Sequence, residues 1–295
     1  MSLQPCLMTL GGIGAIYKLN DFVVMKVPRD PAEPDHATEQ RIFDIFERYP
    51  AHPNLVRSFL RIPGKTFLER LPGGDLASLL RAQQTRDTST QQVLVVAKVP
   101  SPERTLWWMR ELTSAAAWLE RIGLVHGDIR PPNILIDAEG HIKLCDFDRV
   151  VKIGERLDAG TEPFARLLGD EGGRDRGTYG KAGPRTEQFA IGSVFYSMTR
   201  GYDLYENQWF GLDHDRIVMD MLQRREFPAV TRSHEDTIIS KCWNGDFVTI
   251  QELENATLEI ACGPYENAKV ESIVWYLQHQ EKCKEMVTEG IMATL

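Results

Sequence analysis

The sequence predicts an α+β protein of two lobes: a small β-rich N-lobe at residues 1–72 and a larger α-helical C-lobe at 73–295. Three observations predict it. Short apolar runs of strand character, separated by polar turns, fill the first quarter. Pro72-Gly73-Gly74 then breaks the pattern. From Ser101 onward the apolar residues fall mostly at helical spacing. A chain of 295 residues is long enough for two packed cores or one large one.

The elements follow in order. "GAIYKL" and "FVVMKVP" flank Asn20-Asp21 and read as a hairpin. Beyond the proline-rich "DPAEPD", Ile42, Ile45, Phe46 and Tyr49 predict a helix over Thr38 to Tyr49. "HPNLVRSFLRI" and "KTFLERL" read as strands around Pro63-Gly64. Asp75 is placed to cap a helix "LASLLRAQ", and the polar "QTRDTSTQQ" reads as an exposed, mobile loop. Ser101-Pro102 starts a helix with the stripe Trp108, Leu112, Ala115, Ala116 and Leu119, which ends at Gly123. "NILI" and "HIKLCDF" are strands around Ala138-Glu139-Gly140. Residues 146–185 form a long connection rich in glycine and charge, of a length that is usually functional or disordered. "EQFAIGSVFYSMTRG" reads as a buried helix, and the tryptophans at 107 and 108 as core. The tail "NAKVESIVWYLQHQEKCKEMV" reads as an amphipathic helix packed on the large lobe. His36, His52, His141 and His214 have no partner legible in the sequence and are expected to be solvated or capping.

Composition narrows the function. At 42% apolar and 26% charged, the balance is that of a globular enzyme. A net charge of −8 argues against a dedicated nucleic-acid binder, though it leaves tRNA open. Cys6, Cys145, Cys242, Cys262 and Cys283 are scattered and odd in number, which predicts reduced thiols and no zinc site. The start "MSLQPCLMTL" has no basic region, so no signal peptide is expected. No apolar run is long enough to span a bilayer, which predicts no membrane and a cytoplasmic or nuclear location.

Several residue groups carry chemistry. Gly11, Gly12 and Gly14 in "TLGGIGAIY" suit a turn whose backbone amides approach a phosphate, although such hairpin tips are common. Lys26 lies inside an apolar strand, where an ammonium needs a buried anion unless it points to solvent. Glu39 on the following helix is the best candidate. The loop "LVHGDIRPPNILID" concentrates Asp128, a candidate general base; Arg130, a fixed positive charge; and Asn133, a neutral oxygen ligand. A strand hairpin then returns Asp146 of "CDFD" to the same edge, and Asp with Asn suits Mg2+.

"VMK", Glu39, "HGDIRPPN" and "CDFD", in that order, resemble the protein-kinase family, over roughly residues 7 to 260. "HPNLV", "GGDL" and the Cys242-Trp243 pair fit the same pattern, and the texture of "GPRTEQFAIGS" and "EFPAV" resembles kinase-like proteins of fungi. The resemblance implies a bilobal protein-kinase-like fold and the cofactors ATP and Mg2+. It assigns Lys26, positioned by Glu39, to the α- and β-phosphates, and Gly11, Gly12 and Gly14 to the phosphate cover. Glu69, Arg70 and Leu71 become the hinge that meets adenine. Asp128 orients or deprotonates the acceptor hydroxyl, Arg130 contacts phosphate, and Asn133 and Asp146 hold the metal.

Departures limit what the resemblance carries. Gly127 stands where most protein kinases have arginine, which removes the usual link to a phosphorylated activation segment. Arg130 replaces lysine and Thr9 replaces the first loop glycine. Asp148 replaces glycine, and three outcomes are open: it repels ATP, binds a cation, or points away. Ala182-Gly183-Pro184 stands for Ala-Pro-Glu, and Glu187 for an aspartate that holds the catalytic loop. The leading expectation is an atypical kinase, an ATP- and Mg2+-dependent phosphotransferase whose acceptor is a protein Ser/Thr or a small molecule. A pseudokinase that binds or scaffolds is the first alternative. The second is a kinase fold repurposed for another transfer, such as an aminoacyl-tRNA-dependent arginine cyclodipeptide synthase, with Asp128, Asp146 and Asp148 as a surplus of carboxylate for a guanidinium.

Overall fold

The computed structural model describes residues 5–10, 14–30, 34–264 and 266–289. Strands β1 (Cys6–Leu10), β2 (Gly14–Lys18), β3 (Val23–Pro28), β4 (Ser58–Ile62) and β5 (Lys65–Glu69) form one antiparallel sheet, in the order β1-β2-β3-β5-β4. Asn20 closes the β2–β3 turn by accepting the N–H groups of Phe22 and Val23 at 2.8 and 2.9 Å. Helix α1 (Pro34–Phe46) lies between β3 and β4, shifted toward the N-terminus from the range its apolar spacing suggests; residues 47–49 continue it as tight turns. The stretch 51–57 is not strand. At Asn54 and Val56 its backbone bonds run to the second lobe instead: Leu144 N–H donates to Asn54 O, and Val56 N–H to Leu144 O.

Helix α2 (Leu76–Arg81) starts as expected at Asp75, whose carboxylate accepts the Ser78 N–H at 2.7 Å. The next segment differs from expectation. Strands β6 (Gln84–Arg86) and β7 (Val93–Val96) pair as a hairpin instead of forming a loose loop. Asp87 gathers the N–H groups and hydroxyls of Ser89 and Thr90 at its tip, and Arg86 Nη2 donates to both carboxylate oxygens of Glu206 at 2.8 and 2.9 Å.

Helix α3 (Pro102–Arg121), capped by Ser101, runs through the centre of the helical lobe with Leu112, Ala115 and Leu119 fully buried. Four short strands follow: β8 (Leu124–Val125), β9 (Ile134–Ile136), β10 (Ile142–Leu144) and β11 (Val151–Lys152), paired β9 with β10 and β8 with β11. Helix α4 (Pro184–Arg200) is buried as its composition predicts. Around it lie α5 (His214–Gln223), α6 (His234–Asn244) and α7 (Ile250–Glu259). Gly192 lets α4 approach α6, since a Cβ there would stand 2.5 Å from Cys242 Cβ.

Helix α8 (Ile273–Thr288) corrects the reading of the tail. It packs on the N-terminal sheet, not on the large lobe. Trp275, His279, Cys283 and Met286 recur at helical spacing and meet Val23, Met25, Phe59 and Phe67 in a separate core. Tyr276 donates its hydroxyl to Ser58 O at 2.9 Å, and the Arg57 guanidinium lies 4.0 Å over its ring. Strand β3 is therefore covered on both faces, with Val23 and Met25 under α8 and Val24 in the main core. Met286→Ala is expected to destabilise the protein by about 2–5 kcal/mol, measured by urea unfolding. An unchanged midpoint would show that α8 contributes nothing to the sheet.

The histidines also have partners that the sequence hid. His141 Nδ1 lies 2.5 Å from Glu111, His52 bonds Ser114, His36 is buried beside Gln40, and His214 stacks on Trp209. All five cysteines are free thiols. Among the described residues, no helix is long and apolar enough to cross a membrane.

Candidate active site

Strand alternation turns Lys26 away from the α8 core and toward α1. Its Nζ lies 3.1 Å from Glu39 and 2.5 Å from Asp146 Oδ1. The Lys26 side chain is only 10% exposed and that of Glu39 1%, so the ammonium has the anion its strand position demands. Burial alone would lower the pKa of Lys26. The charges of Glu39, Asp146 and Asp148 outweigh it and hold the group protonated. Burial also pushes Asp146 upward, but Lys26 overrides this and keeps its carboxyl below the usual range.

Two features hold Asp146 in place. The β9–β10 hairpin sets it beside the loop 126–133, with Cys145 N–H donating to Asn133 O at 3.0 Å. Phe147 inserts its ring against Phe43 and Phe46 of α1, at 5.4 and 5.0 Å between centroids. Asp146 itself takes left-handed angles, φ 66° and ψ 71°. For a non-glycine residue this costs about 1–3 kcal/mol and persists only where the surroundings enforce it. Here the Lys26 ion pair and the Phe147 contacts do so.

The loop 126–133 is held from below. Glu187, near the start of α4, accepts the N–H groups of His126 at 2.8 Å and Gly127 at 3.1 Å, the role expected of it. His126 is buried, which lowers its pKa, and the neutral ring bonds Cys145 O through Nε2 at 3.0 Å. Asp128 Oδ2 accepts from Arg130 Nε at 2.8 Å and Asn133 Nδ2 at 2.9 Å. Its Oδ1 accepts the Thr161 hydroxyl at 3.2 Å. Thr161 did not emerge from the sequence. It lies far along the chain in the irregular connection, and no local pattern aims it at Asp128. Of the three carboxylates expected to hold a guanidinium, Asp128 is engaged by Arg130 and Asp146 by Lys26, while Asp148 Oδ2 stands 4.0 Å from Lys26 without a hydrogen-bond partner.

The glycine and hinge residues come together less clearly. Gly11 and Gly12 lie outside the described residues. Gly14 starts β2, where a Cβ would stand 2.6 Å from Val27 O, so its glycine is required by strand packing whatever else it does. Glu69 commits its carboxylate to Lys143 Nζ at 2.8 Å and to Arg57 N–H at 2.7 Å. Arg70 N–H donates to Phe22 O, and Leu71 packs half-buried on the main core.

Asn133 and Asp146 fit Mg2+ chemically. Both offer hard oxygen donors, Lys26 keeps Asp146 ionised, and the Asn133 NH2 donates to Asp128, leaving its amide oxygen as an acceptor. Among the described residues, no three His, Cys, Asp or Glu form a metal cage.

Glu187 gives a test through pH. Burial pushes its pKa from 4.5 to about 7. Between those values the folded state holds the proton more tightly than the unfolded chain. Its contribution to stability is therefore complete below 4.5 and lost as pH rises through about 7. Wild-type stability relative to Glu187→Gln is expected to fall across that window in urea titrations. A difference that stays flat would contradict the assignment.

The model of the protein kinase domain matches residues 17–256, more than half of the chain. The chain belongs to the protein kinase domain family. Relatives include the human cAMP-dependent protein kinase catalytic subunit PRKX, 28% identical over 198 residues, covering 65% of this chain and 48% of the relative. The human Citron Rho-interacting kinase is 32% identical over 143 residues, 45% of this chain and 6% of the relative. The serine/threonine-protein kinase sax-1 of Caenorhabditis elegans is 38% identical over 80 residues, 27% of this chain and 14% of the relative. The chain thus spans about half or less of the length of these curated relatives.

Two departures of this kinase domain now have a physical reason or position. Gly127 has φ 78°, and a Cβ there would stand 2.5 Å from Arg149 O, so the local backbone has no room for an arginine. Asp148 does not point away. It is buried, its Oδ2 lies 4.0 Å from Lys26 Nζ, and that oxygen has no hydrogen-bond partner.

Proposed function

We propose that this kinase domain is an ATP- and Mg2+-dependent phosphotransferase that acts on a hydroxyl acceptor, a protein Ser/Thr or a small molecule. The observation that carries the reading is Lys26 seated between Glu39 and Asp146. One ammonium, fixed by a buried carboxylate, is thereby aimed at the residue suited to the metal. Such transfer needs positioning and charge neutralisation more than covalent chemistry.

In this reading Lys26 binds the α- and β-phosphates, and Glu39 fixes its direction. Asp146 and Asn133 would hold Mg2+, which would supply neutralisation of the charge on the phosphoryl group. Asp128 orients the acceptor hydroxyl and takes its proton; the Thr161 contact illustrates that a hydroxyl fits at Oδ1. Arg130 and Asn133 hold the Asp128 carboxylate, so its orientation does not depend on the acceptor. Glu69, Arg70 and Leu71 meet adenine through backbone groups other than the N–H groups of Glu69 and Arg70, which donate to Arg57 O and Phe22 O.

Incubation with γ-labelled ATP, Mg2+ and a panel of protein and small-hydroxyl acceptors tests the reading. Label should leave ATP and appear in at least one acceptor. The pseudokinase reading draws on one observation, the extra carboxylate of Asp148 against Lys26. Retention of all label in ATP, with no acceptor labelled, would favour it.

A further inference from the structure

Lys26 faces three carboxylates, not two. Glu39 and Asp146 contact its Nζ, and Asp148 Oδ2 stands at 4.0 Å. Asp148 lies in the short turn Phe147–Arg149, packed under α1, where its side chain is 4% exposed. Its inner oxygen has no hydrogen-bond donor. With all three ionised, one ammonium leaves this pocket with surplus negative charge. Arg149 does not offset it closely, since its own ion pair is with Asp35, at 3.6 Å.

That surplus meets nucleotide differently according to what the nucleotide carries. A metal-free triphosphate must draw Lys26 toward its own anions while adding negative charge beside an unneutralised carboxylate. A triphosphate bound to its divalent cation brings positive charge that offsets the surplus. The barrier acts in a low-dielectric pocket, where like charges repel far more than in water.

We infer that Asp148 is a specificity-determining residue: it makes the site discriminate against metal-free nucleotide, so that nucleotide enters only together with its divalent cation. The inference rests on the phosphotransferase reading and refines the ligand that this site accepts.

The experiment is titration of ATP into wild type, Asp148→Asn and Asp148→Gly, once with excess Mg2+ and once with excess chelator. The melting temperature of each protein is recorded beforehand. Asparagine keeps the shape and removes the charge; glycine removes the side chain. In both variants metal-free affinity is expected to rise by about tenfold or more, while affinity with Mg2+ changes little. A merely structural role would weaken both conditions together and leave their ratio unchanged, which would overturn the inference. A ratio that falls only because binding with Mg2+ weakens also overturns it, since Asp148 would then be holding the cation. Absence of nucleotide binding by wild type in either condition would sink the phosphotransferase reading itself, and this inference with it.

Discussion

Asp128→Asn is expected to lower phosphoryl transfer by roughly 10²–10⁴-fold, the usual contribution of a positioned general base. The structure indicates why the loss would fall on chemistry and not on folding. The Asp128 carboxylate sits in a fixed set of donors, Arg130 Nε and Asn133 Nδ2 on one oxygen and Thr161 on the other. An asparagine amide oxygen can still accept the first two. Its NH2 then faces the hydroxyl side, where it can donate but not remove a proton. kcat and kcat/KM should fall together, because the interaction is made in the transition state. Nucleotide affinity and melting temperature should stay near wild type. A variant with undiminished turnover would remove Asp128 from the chemistry.

Lys26→Met is expected to lose nucleotide binding and also stability. Glu39 is almost wholly inaccessible, and its compensating charge comes from Lys26. Removing one partner of such a buried pair costs about 3–5 kcal/mol, since the other charge stays buried alone. The Asp146 carboxylate loses its 2.5 Å contact at the same time. Methionine fills much the same volume, so the loss reports charge more than packing. Urea unfolding measures it. The double variant Lys26→Met/Glu39→Met should recover part of that stability without recovering nucleotide binding. If the single variant were as stable as wild type, the pair would not be the buried ion pair described.

The Lys26–Glu39 contact was legible in the sequence because of a physical conflict: an ammonium in an apolar strand demands an anion, and few acidic residues were placed to supply it. The hairpin return of Asp146 followed from strand spacing in the same way. The reading failed where local pattern cannot choose among surfaces. Helix α8 is amphipathic, but periodicity does not say which lobe supplies its partner. The clue was β3, whose run Val23-Val24-Met25 is apolar on both faces and so needs two covers. The hairpin at 84–96 was hidden by polar composition, although Asp87 beside Ser and Thr is a turn-forming set. Asp148 could not be placed because its direction depends on the left-handed backbone at Asp146 and on the packing of α1, neither of which is written locally. Thr161 and the histidine partners are long-range contacts of the same kind.

The most direct measurement of the central claim is a calorimetric titration of ATP with Mg2+ into wild type and Lys26→Met. The account predicts saturable one-site binding by wild type and its loss in the variant. Wild type that takes up no nucleotide, or a variant that binds it as tightly as wild type, would contradict the claim that Lys26, Glu39 and Asp146 form a phosphate-binding site.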